Sequence, residues 1–167
     1  MTSHELNVSV RVLPDGHKHA FRVSGAATLL EVMHEGARRA DVTLLPAPAR
    51  PLDRLHDIGQ HHQIGPAIKD LDQPASDYVK QPGHSNDFGI ELVLAIRLNT
   101  QWEIAPQPAM SPREILALFG LHYEEYTLYR PMCTEPLPLD TAIVLHRGDA
   151  FEAQRDGKYG AEAYDRA

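Results

Sequence analysis

Ser111-Pro112-Arg113-Glu114-Ile115-Leu116-Ala117-Leu118-Phe119-Gly120 carries the start and stop signals of one short amphipathic helix. Ser111 suits the N-cap, where its hydroxyl can accept a free backbone N–H of the first turn. Pro112 has no N–H to leave unpaired at the first helical position, and Glu114 completes a reciprocal capping box. Ile115, Leu116 and Phe119 form the apolar face, and Gly120 suits the C-terminal cap. A second start of the same kind stands earlier, at Thr28-Leu29-Leu30-Glu31. There Leu29, Val32 and Met33 make one stripe, which fades at Arg38-Arg39, cations suited to a helix C-terminus. Aligning Thr28 with Ser111 sets Glu31 opposite Glu114, Val32 opposite Ile115 and Met33 opposite Leu116. The spacing is that of an internal duplication at about 80 residues.

Outward from each helix the order also repeats. Leu6, Val8, Val10 and Val12 alternate with Asn7, Ser9 and Arg11, the period of a half-buried strand. Pro14-Asp15-Gly16 turns the chain, and Phe21 and Val23 return it, so residues 6–23 should form a hairpin. In the second half Leu92, Leu94, Ile96 and Leu98 alternate through 88–98, and Asn99-Thr100-Gln101 leads into 102–105. Short strands are expected at 42–45, 126–130, 141–145 and 150–155. Residues 57–87, rich in Gly, Pro, His and Asp, give no register, and 81–87 reads as a linker or irregular excursion. A hairpin, one covering helix and strands that rejoin the sheet is the β-grasp order, an α+β architecture.

Composition bounds the function. The chain has 167 residues, 43% of them apolar, enough for packed cores. Its 16 Lys+Arg against 23 Asp+Glu give a net charge of −7, which argues against non-specific nucleic-acid binding. The longest apolar run, 92–96, is far short of the roughly 20 residues of a membrane helix. The opening residues carry no secretory pattern, so a soluble cytoplasmic protein is expected. One cysteine, Cys133, excludes an internal disulfide framework and a cysteine-based zinc cluster.

Few residues offer chemistry. Cys133 would need a neighbouring cation or base such as Arg130 or His146 to become reactive, and it reads as a loop thiol. His17 and His19 lie two apart on the first hairpin, and His56, His61 and His62 cluster loosely. A zinc site needs three or four converging ligands, so solvated histidines are the reading. Glu124-Glu125 and Asp70-Leu71-Asp72 fall in turns without a paired acid–base context. No Gly-rich phosphate loop and no nucleophile elbow occurs. Tyr126, Leu128, Phe151 and Ala153 sit on candidate strands, mostly as core.

The second half resembles the bacterial multi-ubiquitin type of ubiquitin-like domain. The matching residues are Ile96-Arg97-Leu98-Asn99 before Trp102, the capped helix 111–120, Tyr126-Thr127-Leu128-Tyr129, the Leu139-Asp140 turn, and Gly148-Asp149-Ala150-Phe151 through Gly157-Lys158-Tyr159-Gly160. The first half resembles a more divergent copy. Two such domains with a glycine-ended tail are similar to the two-domain ubiquitin-like modifiers of bacterial Bil anti-phage operons. The resemblance implies two tandem ubiquitin-like β-grasp domains, 1–87 with the irregular segment and linker, and 88–160, followed by a removable tail 161–167. It implies a protein modifier without catalytic residues, cofactor or metal of its own. Gly160 would be the attachment residue, freed by cleavage of the Gly160–Ala161 bond, with Arg155, Gly157, Lys158 and Tyr159 threaded into partner enzymes. The implied partners are an activating enzyme that uses ATP, a conjugating enzyme, a deconjugating peptidase and a phage virion target, with no nucleic acid or membrane. The tail lacks the double glycine of ubiquitin, so Gly160 is assigned by position. Two rivals share the fold: a sulfur carrier, whose terminal glycine becomes a thiocarboxylate, and a non-covalent binding module. A zinc enzyme built on the histidines is a third.

Overall fold

The computed structural model describes residues 4–156. The chain divides into two compact units, Met1–Val93 and Leu94–Ala167. Both are α+β, with mixed sheets.

In the first unit β1 (Glu5–Val12) and β2 (His19–Ser24) form the hairpin that the alternation predicts. Next come α1 (Leu29–Arg39), β3 (Arg54–Ile58), a 3-10 turn at Gln60–His62, β4 (Ile64–Ala67), α2 (Ala75–Lys80) and β5 (Asp87–Glu91). The sheet order is β2-β1-β5-β3-β4. β5 runs parallel to β1 and antiparallel to β3. The Thr28 hydroxyl accepts the Glu31 N–H at 3.1 Å and the Glu31 carboxylate accepts the Thr28 N–H, so α1 starts where the capping box puts it. Its stripe of Leu29, Val32 and Met33 is fully buried with Val8, Val10, Phe88 and Ile90.

Three expectations are corrected here. The boundary expected after residue 87 lies after Val93, because β5 occupies the middle of the first sheet and Phe88 and Ile90 fill its core. The alternation over 88–98 is therefore two strands, separated where the Val93 N–H turns to Asp53 at 2.9 Å. Residues 42–45 form no strand. Their N–H groups are drawn elsewhere, Val42 to the Ala37 carbonyl and Leu45 to the Asp53 carboxylate. Finally, of the two readings of 81–87 the linker falls and the irregular excursion holds through Asn86, with His84 and Ser85 bonded into the first unit.

The second unit contains β6 (Ala95–Leu98), β7 (Gln101–Ile104), β8 (Ala109–Met110), α3 (Pro112–Leu118), β9 (Tyr126–Tyr129), β10 (Ile143–Val144) and β11 (Ala150–Arg155). Four strands pair in the order β7-β6-β11-β9, and β8 pairs with β10. β11 is parallel to β6 and antiparallel to β9. Ser111 and Glu114 form the full capping box, and Gly120 takes φ +76°, the left-handed geometry that glycine accepts without a Cβ clash. Ile115 and Leu116 pack with Ile96, Leu98, Leu128 and Phe151. Each unit thus has a hairpin, a capped helix, and a last strand set parallel beside the first. Among the described residues no helix is long and apolar enough to cross a membrane.

Candidate functional site

β11, the last strand among the described residues, lies between β6 and β9. The β11–β9 ladder runs to its last pair, Arg155 with Tyr126. Asp156 then donates its N–H to the Glu125 carbonyl at 2.8 Å, and its carboxylate accepts the Thr127 hydroxyl. Arg155, expected in the threaded tail, thus belongs to the sheet. Gly157, Lys158, Tyr159, Gly160 and Ala161, the other residues of the expected attachment and processing site, lie outside the described residues.

A second cluster forms in the first unit, where β3, α2 and the approach to β5 meet. Asp57 Oδ2 accepts the Tyr78 hydroxyl at 2.6 Å and the Ser85 N–H at 3.1 Å, while Oδ1 accepts the Ser85 hydroxyl at 2.7 Å. Burial, aided by the Asp57 carboxylate, pushes the Tyr78 phenol well above its usual range. The His84 ring stacks on Tyr78 with centroids 4.0 Å apart. Its Nδ1 stands 2.9 Å from the Tyr78 carbonyl, so that nitrogen carries the donated proton. The cluster borders an open cleft of about 690 Å³ with Ile64, Pro66 and Lys69 on its other side. Ser, His and Asp meet here without forming an acyl-transfer triad. The imidazole is turned to a backbone carbonyl, and the serine hydroxyl is bonded to the acid itself. The arrangement braces the α2–β5 connection.

The remaining candidates lie apart. Cys133 is an exposed free thiol. Arg130 covers the Phe151 ring at 4.5 Å and, like His146, approaches Asp149 at 3.8 Å. Both side chains thus face the Asp149 carboxylate and not Cys133. His56 bridges strands instead of facing solvent, with Nδ1 2.8 Å from the Gly65 carbonyl and Nε2 2.7 Å from Glu91. His61 and His62 stand in the 3-10 turn with φ of 59° and 60°. Among the described residues no three metal-binding side chains converge. Asp70, Asp72 and Glu124 are exposed, and Asp72 pairs with Arg50. Leu128 and Phe151 are buried, with Tyr126 and Ala153 packed against the same core.

Sequence reading misses the Asp57 cluster and the Thr127–Asp156 contact. In both, the partners lie more than twenty residues apart and share no periodic pattern. No protein-family model matches the chain, and no curated protein matches it.

Proposed function

We propose that the chain is a ubiquitin-like protein modifier of two tandem β-grasp domains, used in the cytoplasm in bacterial anti-phage defence. The observation that carries this reading is the strand order. In both units the last strand enters the sheet parallel to the first, beside a hairpin followed by one capped helix. In the second unit that strand is β11, which ends at Arg155, and Gly160 follows it by five residues in the sequence.

A free carboxylate does not acylate amines. A peptidase first hydrolyses the Gly160–Ala161 bond. An activating enzyme then joins the Gly160 carboxylate to the AMP portion of ATP, releasing pyrophosphate. A partner thiol displaces AMP to give a thioester, and a target amine displaces that thiol to form the amide. Glycine serves at the attacked position because no Cβ obstructs approach to its carbonyl. The chain itself supplies the acyl group and no catalytic side chain.

The test uses protein shortened after Gly160, an activating enzyme of the kind the resemblance implies, and ATP. Intact mass should show an ATP-dependent adduct, absent with the full-length chain until a peptidase removes 161–167. Gly160→Ala should fold and transfer far more slowly. Uncleaved chain joined to targets through another residue would overturn the reading.

A further inference from the structure

His56 stands between two groups that can only accept. Its Nδ1 is 2.8 Å from the Gly65 carbonyl on β4, and its Nε2 is 2.7 Å from Glu91 Oε1 on β5. A neutral imidazole has one N–H and one lone pair, so it serves one oxygen and sets its lone pair against the other. The imidazolium has two N–H groups and serves both. The side chain is 13% exposed, so water does little to replace a lost partner.

β4 depends on this contact more than an inner strand would. It is the edge strand of the five-stranded sheet, and its pairing with β3 shifts register between His56 and Ile58. Gly65 and Pro66 fall in that shift, between the paired residues Ile64 and Ala67. Pro66 has no N–H to donate. The His56 side chain thus binds the stretch that the register pairs leave out. All four residues of β4 line the open cleft that Tyr78 and His84 also border.

We propose that His56 is a proton-operated latch on β4, and so on one side of that cleft. With both ring protons it ties β4 to β5 across β3. When one proton leaves, the remaining N–H stays with Glu91, because a hydrogen bond to a carboxylate is roughly twice as strong as one between neutral groups. The Gly65 contact is the one lost, and β4 loosens as the pH rises through that step. The neighbouring charges are accounted for. Arg54 Nη1 stands 3.5 Å from Glu91 Oε2, and arginine keeps its charge throughout. Asp87 on β5 is paired with Arg11 and Lys18, and Asp57 on β3 is bonded to Tyr78 and Ser85. β4 brings no titratable side chain, while His61 and His62 before it and Lys69 after it are exposed.

The test follows the His56 ring resonances and amide hydrogen exchange of the full chain between about pH 5 and 8, where histidine ordinarily titrates. Two amides report on the β3–β4 pair: Ile68, which donates to the Leu55 carbonyl at 2.8 Å, and Gly59, which donates to the Gln63 carbonyl at 2.7 Å. After correction for the intrinsic rate, their protection should fall about tenfold as the ring loses its proton, the scale of one hydrogen bond. The Leu13 amide, bonded to Ile90 on the other side of β5, should not change. Glu91→Gln supplies an N–H₂ that can donate to a neutral ring, which frees the ring N–H for Gly65. In that variant the protection should stay high across the range, although His61 and His62 still titrate. Unchanged protection of Ile68 and Gly59 while the wild-type ring titrates overturns the proposal, as does an equal fall in Glu91→Gln. A His56 ring that keeps both protons over the whole range overturns it too.

Discussion

The Tyr78 hydroxyl donates to Asp57 at 2.6 Å, tying the only buried tyrosine among the described residues to a carboxylate on β3. Burial, then the bond and charge of Asp57, hold the phenol above its ordinary range. The folded chain therefore keeps this proton where the unfolded chain releases it, near pH 10. The contribution is complete below that pH and is lost as pH rises further. Urea stability of the first unit should fall above about pH 10, and Tyr78→Phe should flatten that fall. At pH 7 the same substitution should cost about 2 kcal/mol, the scale of a hydrogen bond to a charged acceptor. An identical alkaline slope in wild type and Tyr78→Phe would show that another group sets it.

The two capping boxes give a second prediction. Thr28→Ala and Ser111→Ala each remove a side-chain acceptor for a first-turn N–H, and each should lower stability by about 1 kcal/mol. They act on different cores, so the double variant should show the sum of the two losses. An unchanged urea midpoint in either single variant would mean that the hydroxyl does not cap.

These caps are legible in the sequence because their partners lie three residues apart. The hairpins are legible because Val8 and Val10, or Ile96 and Leu98, keep a period of two. β3 is not. Leu55 and Ile58 are both buried although three residues apart, and the pairing with β4 shifts register between His56 and Ile58. That register shift goes with a break in the alternation that would have marked a strand. Residues 42–45 fail in the opposite sense: they are apolar enough for a strand, yet their donors go to a helix end and a side chain. At the candidate site the sequence supplies Gly160 and the end of β11. Thr127 and Asp156, like Asp57 and Tyr78, are joined only by the folded topology.

Gly36 and Gly89 should respond differently to one added methyl. A Cβ on Gly36 would stand 2.5 Å from Val10 Cγ1 and 2.7 Å from Val10 Cβ, where α1 lies against β1. Val10 is itself fully buried, so the helix must lift. Gly36→Ala should cost about 2 kcal/mol despite the better helix propensity of alanine. A Cβ on Gly89 would meet Leu13 Cδ2 at 2.7 Å, Cγ at 2.8 Å and Cδ1 at 3.0 Å, and that partly exposed side chain can swing away. Its substitution should cost less. Adding Val10→Ala to Gly36→Ala should recover part of the loss, a coupling that a double-mutant cycle measures. Strict additivity would place the strain elsewhere.

Asp53 closes the first unit. It is 3% exposed, and its two oxygens accept separate backbone N–H groups, Leu45 at 2.8 Å and Val93 at 2.9 Å. Neither donor belongs to a strand, so the carboxylate does for the ends of two irregular segments what a ladder does inside a sheet. Asp53→Ala removes both acceptors from a closed environment. Each loss is worth about 1–3 kcal/mol, so a total near 3 kcal/mol is expected. Asp53→Asn keeps one oxygen but turns an amide N–H₂ toward the other donor, so it should retain only part of the stability. The location of the damage discriminates this bracket from general loosening. Hydrogen exchange in Asp53→Ala should accelerate at Leu45 and Val93 well beyond the acceleration at Phe88 and Ile90, which the central strand protects. Uniform acceleration at all four amides would mean that Asp53 supports the core as a whole and holds neither segment in particular.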